Sequence, residues 1–318
     1  MNNVMTTLRT PKGCLGCLGL VLVIVALFVG GLMLGGIANP NYHLPEISLA
    51  AEEIPLPFEL PLLGHSVPNT LPTTWLTMLL LIVISFFATR KMELVPSGLQ
   101  NAVEAIVEMF YGFIEGVAGA QAPIFFPLVA TFFFFILISN WMGIFPGFGS
   151  VGVWAEHHHG ETVLVPFLRS ANAHLSTTVA LAIISVGATQ YFGFKLLGLP
   201  FLGRYFTFKS ASAKKEKPAA SGFAALIGKL AIVMERGSNA FVGILELVSE
   251  FIKIMSFSFR LFGNIFAGEV LLIVVSYLAA FLVSLPFMGL ELFVGLVQAL
   301  IFSMLSLVFF MMATAHHD

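Results

Sequence analysis

An arginine, an asparagine and a glutamate stand inside an otherwise almost wholly apolar stretch, SFSFRLFGNIFAGEVLL at positions 256–272. They are Arg260, Asn264 and Glu269. A charged side chain at the centre of a membrane costs about 2.5–3.5 kcal/mol, so such a residue is by default a functional hypothesis. An arginine stays protonated in proteins, whereas a carboxyl group takes up and releases a proton. The stretch therefore predicts a fixed positive charge close to proton-exchanging groups.

Further polar residues share the helical face of Arg260. At about 100° per residue, those within an arc of about 80° are Glu246, Glu250, Lys253 and Asn264. Glu269 falls on the opposite side of the same helix. A second apolar segment follows Pro286 and carries Glu291 and Gln298 seven residues apart, again on one face. If the two segments form a hairpin, we expect Gln298 close to Arg260 and Glu291 beside Glu269.

Carboxylates then lie on both sides of the arginine along the helix axis, Glu246 and Glu250 on one side and Glu269 and Glu291 on the other. This pattern is typical of two proton paths that meet at a barrier. Arg260 blocks direct proton transfer between the paths and offers a counter-charge to a carboxylate of another chain. In the alternative, Arg260 only pairs with Glu250 or Glu269 to lock the helices, although buried ion pairs add little stability.

The composition indicates a membrane protein. The 318 residues are 58% hydrophobic and 10% charged, whereas soluble domains contain about 45–50% apolar and about 25% charged residues. We expect an all-α polytopic fold of five to six transmembrane helices that ends in a long tilted helical hairpin. The net charge of −2 argues against nucleic-acid binding. The chain has no GxxxxGK[ST] motif, so no nucleotide is expected, and no pattern predicts a cofactor.

Residues 1–37 form an N-terminal extension, in which a basic flank precedes an uncharged apolar run. This run is predicted to be a signal anchor or extra span, with a cleaved signal peptide as the alternative. Cys14 and Cys17 form a lone CxxC with no second pair, so no disulfide framework or metal site is predicted. Residues 38–71 are acidic, rich in proline and free of Lys and Arg, which predicts an irregular outer segment.

The next span, predicted at 73–88, ends on Arg90 and Lys91, which places that end in the cytoplasm. A capping box of Ser97 and Gln100 then predicts the start of an amphipathic helix at the inner surface.

Two further spans are predicted at 123–145 and 171–198, with Asn140 and Trp141 at the outer interface of the first. Between them stand the histidines 157–159, which two glutamates accompany. A metal site is one interpretation, but a solvated loop is favoured because consecutive histidines rarely face one ion.

The C-terminal part is predicted as one membrane domain, 72–318, that contains a basic cytoplasmic insertion at 204–236. The apolar segment 237–315 is predicted to break at Pro286 into helices of about 45 and about 28 residues. At 1.5 Å per residue the first is about 65–70 Å long, so it must tilt, kink or lie partly in the membrane plane.

Four segments of this domain resemble subunit a of the membrane (Fo) sector of F-type ATP synthases. They are RLFGNIFAGE at 260–269, QALIF at 298–302, FPLVATFFFFILISNWMGIFPG at 126–147 and HLSTTVALAIISV at 174–186. The resemblance covers about residues 50–315. It implies a non-catalytic, ion-translocating subunit with two offset half-channels beside a rotating ring of c subunits. The implied partners are the c-ring, the peripheral-stalk b subunits, membrane lipid and H⁺, with Na⁺ left open.

The resemblance also implies roles for single residues. Arg260 corresponds to the essential arginine that faces the ring carboxylate, with Asn264 and Gln298 as its polar neighbours. Glu269 and Glu291 correspond to the inlet half-channel and Glu246 to the cytoplasmic one. Further candidates for proton transfer are Glu250, His174 and Ser176. The last two stand where relatives often carry an aspartate and an asparagine, and both residues of the inlet pair are glutamates where some relatives have one histidine.

The resemblance implies a bacterial plasma membrane location, with the basic loop and the C-terminus in the cytoplasm. The rival interpretation is a secondary transporter whose intramembrane arginine binds an anionic substrate. Such folds usually show inverted repeats and paired broken helices, and neither pattern is visible in this sequence. A structural scaffold does not explain why charges of both signs stand at one depth.

Overall fold

The structure, a computed structural model, describes residues 53–60, 64–144, 152–156, 162–166, 169–198, 201, 223–278 and 281–315. The α-helices in these ranges are α1 Thr70–Thr89, α2 Gly98–Ala118, α3 Ala122–Ile144, α4 Leu175–Leu197, α5 Phe223–Leu278 and α6 Phe281–Thr314. The N-terminal extension 1–37 and the histidines 157–159 lie outside the described residues.

Five segments of the described chain are long and apolar enough to cross a membrane. They are Thr70–Thr89, Gly98–Ile144, Leu175–Leu197, Gly237–Ser276 and Ser284–Thr314. A helix is the element that satisfies its own backbone hydrogen bonds in lipid, so apolar runs of this length become helices. Hydroxyl groups within the spans follow the same rule, as where Thr77 Oγ1 donates to the Thr73 carbonyl at 2.8 Å. The prediction of an all-α polytopic membrane protein is confirmed, and the five segments are those of the described residues alone.

Helix α2 begins at Gly98 as predicted, but its predicted capping box is wrong. Ser97 makes no side-chain hydrogen bond to the first turn. Gln100 instead bonds the backbone of Glu93, because its Oε1 accepts from the Glu93 N–H at 3.2 Å and its Nε2 donates to the Glu93 carbonyl at 3.1 Å. The glutamine side chain thus ties the preceding loop to the helix rather than capping the helix itself.

The predicted break at Pro286 is also wrong, because α6 runs through this residue from Phe281 to Thr314. Pro127 lies inside α3 in the same way. A proline lacks the backbone N–H group, so one backbone carbonyl of the helix loses its hydrogen-bond donor. In a membrane protein, neighbouring groups can bond this carbonyl instead, so a proline need not end the helix. Helix α5 ends at Leu278 and α6 begins at Phe281.

Helix α5 has 56 residues and α6 has 34, so both are longer than predicted. At 1.5 Å per residue α5 is about 84 Å long. It begins at Phe223 instead of Gly237, so the last part of the basic insertion 204–236 is helical. Residues 223–236, FAALIGKLAIVMER, contain no proline and are rich in helix-forming Ala, Leu, Lys and Glu. The prediction of a basic loop at 204–236 is therefore wrong for residues 223–236, because their helical propensity favours a helix.

Two antiparallel hairpins occupy segments for which irregular structure was expected. Strands β1 Glu53–Leu60 and β2 Gly64–Pro68 pair with Ile54 opposite Val67. Strands β3 Gly152–Glu156 and β4 Thr162–Pro166 pair with Val153 opposite Val165. Short two-stranded hairpins of this kind need little hydrophobic pattern, so charge and proline content concealed them.

The chain divides into two compact units, each built from separate stretches of sequence. The first unit comprises Met1–Leu79, Ile136–His174 and Gly263–Gln298, and the second comprises Leu80–Phe135, Leu175–Phe262 and Ala299–Asp318. Aromatic contacts build the core of the second unit, as where the rings of Phe110 and Phe133 stack with centroids 4.3 Å apart. Amide groups and charged side chains are prominent in the interior of the first unit.

Candidate functional site

Asn140 on α3 organises the interior of the first unit. Its side chain is buried, with the residue 1% exposed. Its Nδ2 donates to the Gly295 carbonyl at 3.3 Å, and its Oδ1 accepts from Asn172 Nδ2 at 2.7 Å. Its amide thus satisfies polar groups of two other segments, and the position of Asn140 at the outer interface stays a prediction. Its exposed neighbour Trp141 donates from Nε1 to the Leu292 carbonyl at 3.1 Å.

Asn264 and Gln298 meet in the first unit. Asn264 Nδ2 donates to Gln298 Oε1 at 2.7 Å, which joins α5 to α6. Gln298 is buried, and its Nε2 has no hydrogen-bond partner among the described residues. Buried amide donors normally have a partner, which in a polar interior is often water. Arg260 belongs to the second unit, so its expected proximity to Gln298 stays a prediction.

Glu269 forms an ion pair that sequence reasoning missed. Arg169 Nε donates to Glu269 Oε2 at 2.8 Å, and the two side chains are only 14% and 18% exposed. Arg169 lies outside the helices, shortly before α4. The sequence does contain a signal, because Arg169 is the only Lys or Arg between Lys91 and Lys195. A lone arginine among acidic and apolar residues indicates a specific partner.

Glu291 lies against the turn of α5 that precedes Glu269. A Cβ atom on Gly268 would overlap the Glu291 carboxyl group, so the carboxyl keeps its present position only beside glycine. Glu291 is buried, and its Oε2 has no hydrogen-bond partner among the described residues. The charge of Glu269 acts on the Glu291 carboxyl. The first unit thus contains two interacting carboxyl groups, of which Glu269 is paired with a cation.

His174 links the end of a short 3₁₀ helix, Ala171–Ala173, to the start of α4. It therefore precedes the helix in which sequence reasoning placed it. Burial, and then the charge of Arg169, lower the pKa of His174 from its ordinary value of 6.5. Both effects disfavour the charged imidazolium, so His174 stays neutral to lower pH than an ordinary histidine. Ser176 follows in the first turn of α4.

Arg260 lines an open cleft of about 210 Å³ in the second unit. The lining residues are Ser249, Ile252, Lys253, Ser256, Phe257, Arg260, Leu305 and Phe309. Arg260 Nη2 donates to Ser256 Oγ at 3.5 Å, a long hydrogen bond. No carboxylate of the described residues forms an ion pair with Arg260.

Glu250 and Lys253 form a second ion pair beside this cleft. Lys253 Nζ donates to Glu250 Oε1 at 2.7 Å and stands over the Phe309 ring, 4.9 Å from its centroid. Glu250 Oε2 is buried without a partner among the described residues. Glu250 also lines a cavity of about 10 Å³, which is about the space of one water molecule.

Both carboxylates proposed as locking partners of Arg260 are thus held by other cations. Glu250 pairs with Lys253, and Glu269 pairs with Arg169. The pairs of the described residues do not support the interpretation of Arg260 as a helix lock. Glu246, half-buried on α5, precedes Arg260 by fourteen residues, which is about 21 Å along the helix.

The described residues contain no group of three or more His, Cys, Asp or Glu that could hold a metal ion.

Comparison with known proteins shows which protein family this chain matches. The family model for the ATP synthase A chain matches residues 71–311. ATP synthase subunit a of Moorella thermoacetica is 30% identical over 241 residues, which cover 76% of this chain and 88% of that protein.

Two further relatives are 33% identical. ATP synthase subunit a of Gloeobacter violaceus matches over 79% of this chain and 85% of its own length. ATP synthase subunit a 1 of Pelobacter propionicus matches over 74% and 83%. The resemblance inferred from the four motifs is confirmed, and the names of these relatives do not support the secondary-transporter alternative. The chain belongs to the ATP synthase A chain family, the family of ATP synthase subunit a.

Proposed function

We propose that this chain is the proton-conducting stator subunit of a bacterial rotary F-type ATP synthase. Two offset half-channels pass protons to and from the carboxylates of a c-ring, and Arg260 keeps the two paths apart. Proton flow down the gradient then turns the ring and drives ATP synthesis in partner subunits. The chain itself is a non-catalytic part of the complex, and H⁺ is the transported ion, with Na⁺ as the alternative.

The surroundings of Arg260 support this proposal most directly. The guanidinium lies in a cleft, bonds only a serine hydroxyl at 3.5 Å, and has no carboxylate partner among the described residues. An intramembrane cation without a partner is energetically costly. A ring carboxylate that enters the cleft would supply the missing counter-charge once per step. A guanidinium suits this task because it does not deprotonate, so it attracts the carboxylate without passing its proton on.

The two units suggest which residues line each half-channel. The inlet path is assigned to the first unit, with Glu269, Glu291, Asn264 and Gln298, and with His174 nearer its mouth. Ser176 belongs to the second unit and stays a further candidate for proton transfer. The buried Gln298 Nε2 and Glu291 Oε2, which have no partner among the described residues, are the atoms expected to bond water in such a path. The cytoplasmic path is assigned to the second unit, with Glu246 and Glu250.

The c-ring partner is also supported by the surface of α5. Several large apolar side chains of α5 are at least half exposed, among them Phe241, Leu245, Ile252 and Phe259. A face of this kind needs an apolar cover, which the c-ring and lipid would provide. The peripheral-stalk b subunits are further expected partners. The positive-inside rule favours a cytoplasmic basic insertion 204–236 and a cytoplasmic C-terminus.

Substitution of Arg260 tests the proposal in the intact complex. We expect Arg260→Ala and Arg260→Lys to abolish gradient-driven ATP synthesis in membrane vesicles while the complex still assembles. Without the guanidinium the two paths join, and each proton that leaks dissipates about 2.3 kcal/mol per 100 mV of potential. Phe86→Leu, at an exposed position of α1 outside the α5 face, is the control variant and should synthesise ATP at the parent rate. Normal synthesis by either Arg260 variant would refute the assignment.

The cytoplasmic path has its own test. We expect Glu246→Gln to slow proton flux, because the amide cannot bind and release a proton, while ATP synthesis per proton stays unchanged. Flux is measured from the quenching of a pH-sensitive dye in inverted vesicles. An unchanged flux would remove Glu246 from the path.

A further inference from the structure

We propose that Arg169 is a positioning residue that holds Glu269 as a permanent anion, so that Glu291 is the carboxyl group that transfers the proton in the first unit. This inference rests on the proposed function, because it assigns different tasks to the two carboxyl groups of the inlet path. The sequence positions of Glu269 and Glu291 do not show which of the two carboxyl groups carries the proton.

The Arg169–Glu269 contact is a close and sheltered ion pair. The 2.8 Å distance from Nε to Oε2 is that of a charge-assisted hydrogen bond, and both side chains are more than four-fifths buried. A guanidinium does not give up its proton, so Arg169 presents a fixed positive charge that favours the ionised form of Glu269. A proton that bound Glu269 would remove the negative charge that lies 2.8 Å from the guanidinium in a sheltered site, which is unfavourable.

Contacts of the next residue, Ser170, hold the backbone beside Arg169 and so restrict where the guanidinium can lie. The next residue, Ser170, is buried, and its Oγ donates to the Ser139 carbonyl at 3.3 Å. The Ser170 carbonyl accepts from the Ala173 N–H at 3.0 Å. A Cβ atom on Gly143 would stand 2.6 Å from the Ser170 Cβ, so helix α3 approaches this segment closely. An anchored arginine can orient a carboxylate, which is what a positioning residue must do.

Glu291 has the opposite surroundings. No Lys, Arg or His of the described residues forms an ion pair with it, and its Oε2 is buried without a hydrogen-bond partner there. Its carboxyl group lies against Gly268, the residue next to the ion-paired Glu269. A carboxyl group near a fixed anion, and without a cation of its own, is the one expected to bind a proton. Arg169 thus separates the tasks of the two glutamates.

Burial, and then the charge of Arg169, lower the pKa of His174. Its imidazole therefore stays neutral to lower pH than that of an ordinary histidine, which makes it a weaker competitor of Arg169 for a carboxylate.

A charge-neutral double variant separates this proposal from a proton-carrying Glu269. In the intact complex, Arg169→Gln and Glu269→Gln should each lower proton flux by about tenfold or more, because each leaves one sheltered charge without its partner. The double variant Arg169→Gln/Glu269→Gln removes both charges and should return flux to within about threefold of the parent. Arg169→Lys, which keeps a cation, should retain more flux than Arg169→Gln. Glu291→Gln should show no proton flux, because it removes the carboxyl group that transfers the proton.

Two results would overturn the proposal. One is a double variant that assembles but conducts as poorly as Glu269→Gln, because Glu269 itself would then carry the proton. The other is a Glu291→Gln variant with parent flux. If the single variants fail to assemble, the double variant and Arg169→Lys still decide the question, and assembly is read from the amount of chain recovered with the complex. Arg260→Ala, run alongside, tests the proposed function separately, because its flux and synthesis do not depend on which glutamate carries the proton.

Discussion

Gly268 provides the sharpest test of how closely the inlet carboxyl group is packed. A methyl group at this position would overlap the Glu291 carboxyl group, so Gly268→Ala forces that carboxyl to move or to take a strained rotamer. An off-rotamer side chain costs about 0.5–1.5 kcal/mol. Removal of a glycine from a helix interior returns up to about 1 kcal/mol of helix propensity. The two effects nearly cancel, so stability should change little.

Proton flux through the Gly268→Ala variant should fall, although its stability changes little. If the displaced carboxyl group must return to its original position for each transfer, a penalty of about 0.5–1.5 kcal/mol lowers proton flux roughly two- to tenfold. Gly289→Ala is the matched control, because Gly289 lies in α6 of the same unit and an added Cβ meets no atom within 4 Å. Flux is measured by dye quenching in inverted vesicles, and stability by thermal unfolding of the purified complex.

A second substitution distinguishes displacement from a general packing defect. Glu291→Asp shortens the side chain by one methylene group and withdraws the carboxyl from residue 268. The double variant Gly268→Ala/Glu291→Asp should therefore conduct better than the product of the two single effects predicts. If Gly268→Ala conducts as well as Gly289→Ala, the reasoning about the close contact is refuted.

Two further predictions concern the polar interior of the first unit. Asn140→Ala removes the partner of the Asn172 amide and of the Gly295 carbonyl and should lower the free energy of unfolding by about 1–3 kcal/mol. Thermal unfolding in detergent measures the loss, and Trp141→Phe, which removes one bond of an exposed side chain, should lose less. The depressed pKa of His174 means that the unfolded chain binds a proton near pH 6.5 before the folded chain does, so stability should fall as pH drops below about 6.5. His174→Gln should show a shallower decline of Tm between pH 7.5 and 5, and an identical decline would contradict the assigned pKa direction.

Sequence reasoning predicted the spans well because hydropathy and helical periodicity are local properties. It failed at helix ends and connections, where several local signals compete. Pro286 reads as a break, yet α6 continues through it. Gln100 reads as half of a capping box, yet its amide bonds the backbone of Glu93. In both cases the pattern was present, and a contact or context outside the pattern decided the outcome.

The candidate site divides in the same way. Arg260, Asn264, Glu269, Glu291 and Gln298 were identified from polarity and spacing within apolar helices, and all lie within the range that the family model matches. Arg169 was missed because it stands in a connection, outside every helical pattern. Only its isolation among acidic and apolar residues distinguished it.

By itself, the sequence determined that this is an all-α membrane protein of the ATP synthase A chain family and which polar residues stand within its spans. The tertiary structure decided which of these residues meet. Arg169 pairs with Glu269 across 100 positions of sequence, and Glu250 takes Lys253, so neither glutamate is left for Arg260 to bind as a lock. Such pairings depend on the direction and register in which distant segments pack, and no local pattern encodes them. A residue's type shows that it carries charge, whereas its neighbours in space decide whether that charge is fixed or exchanged.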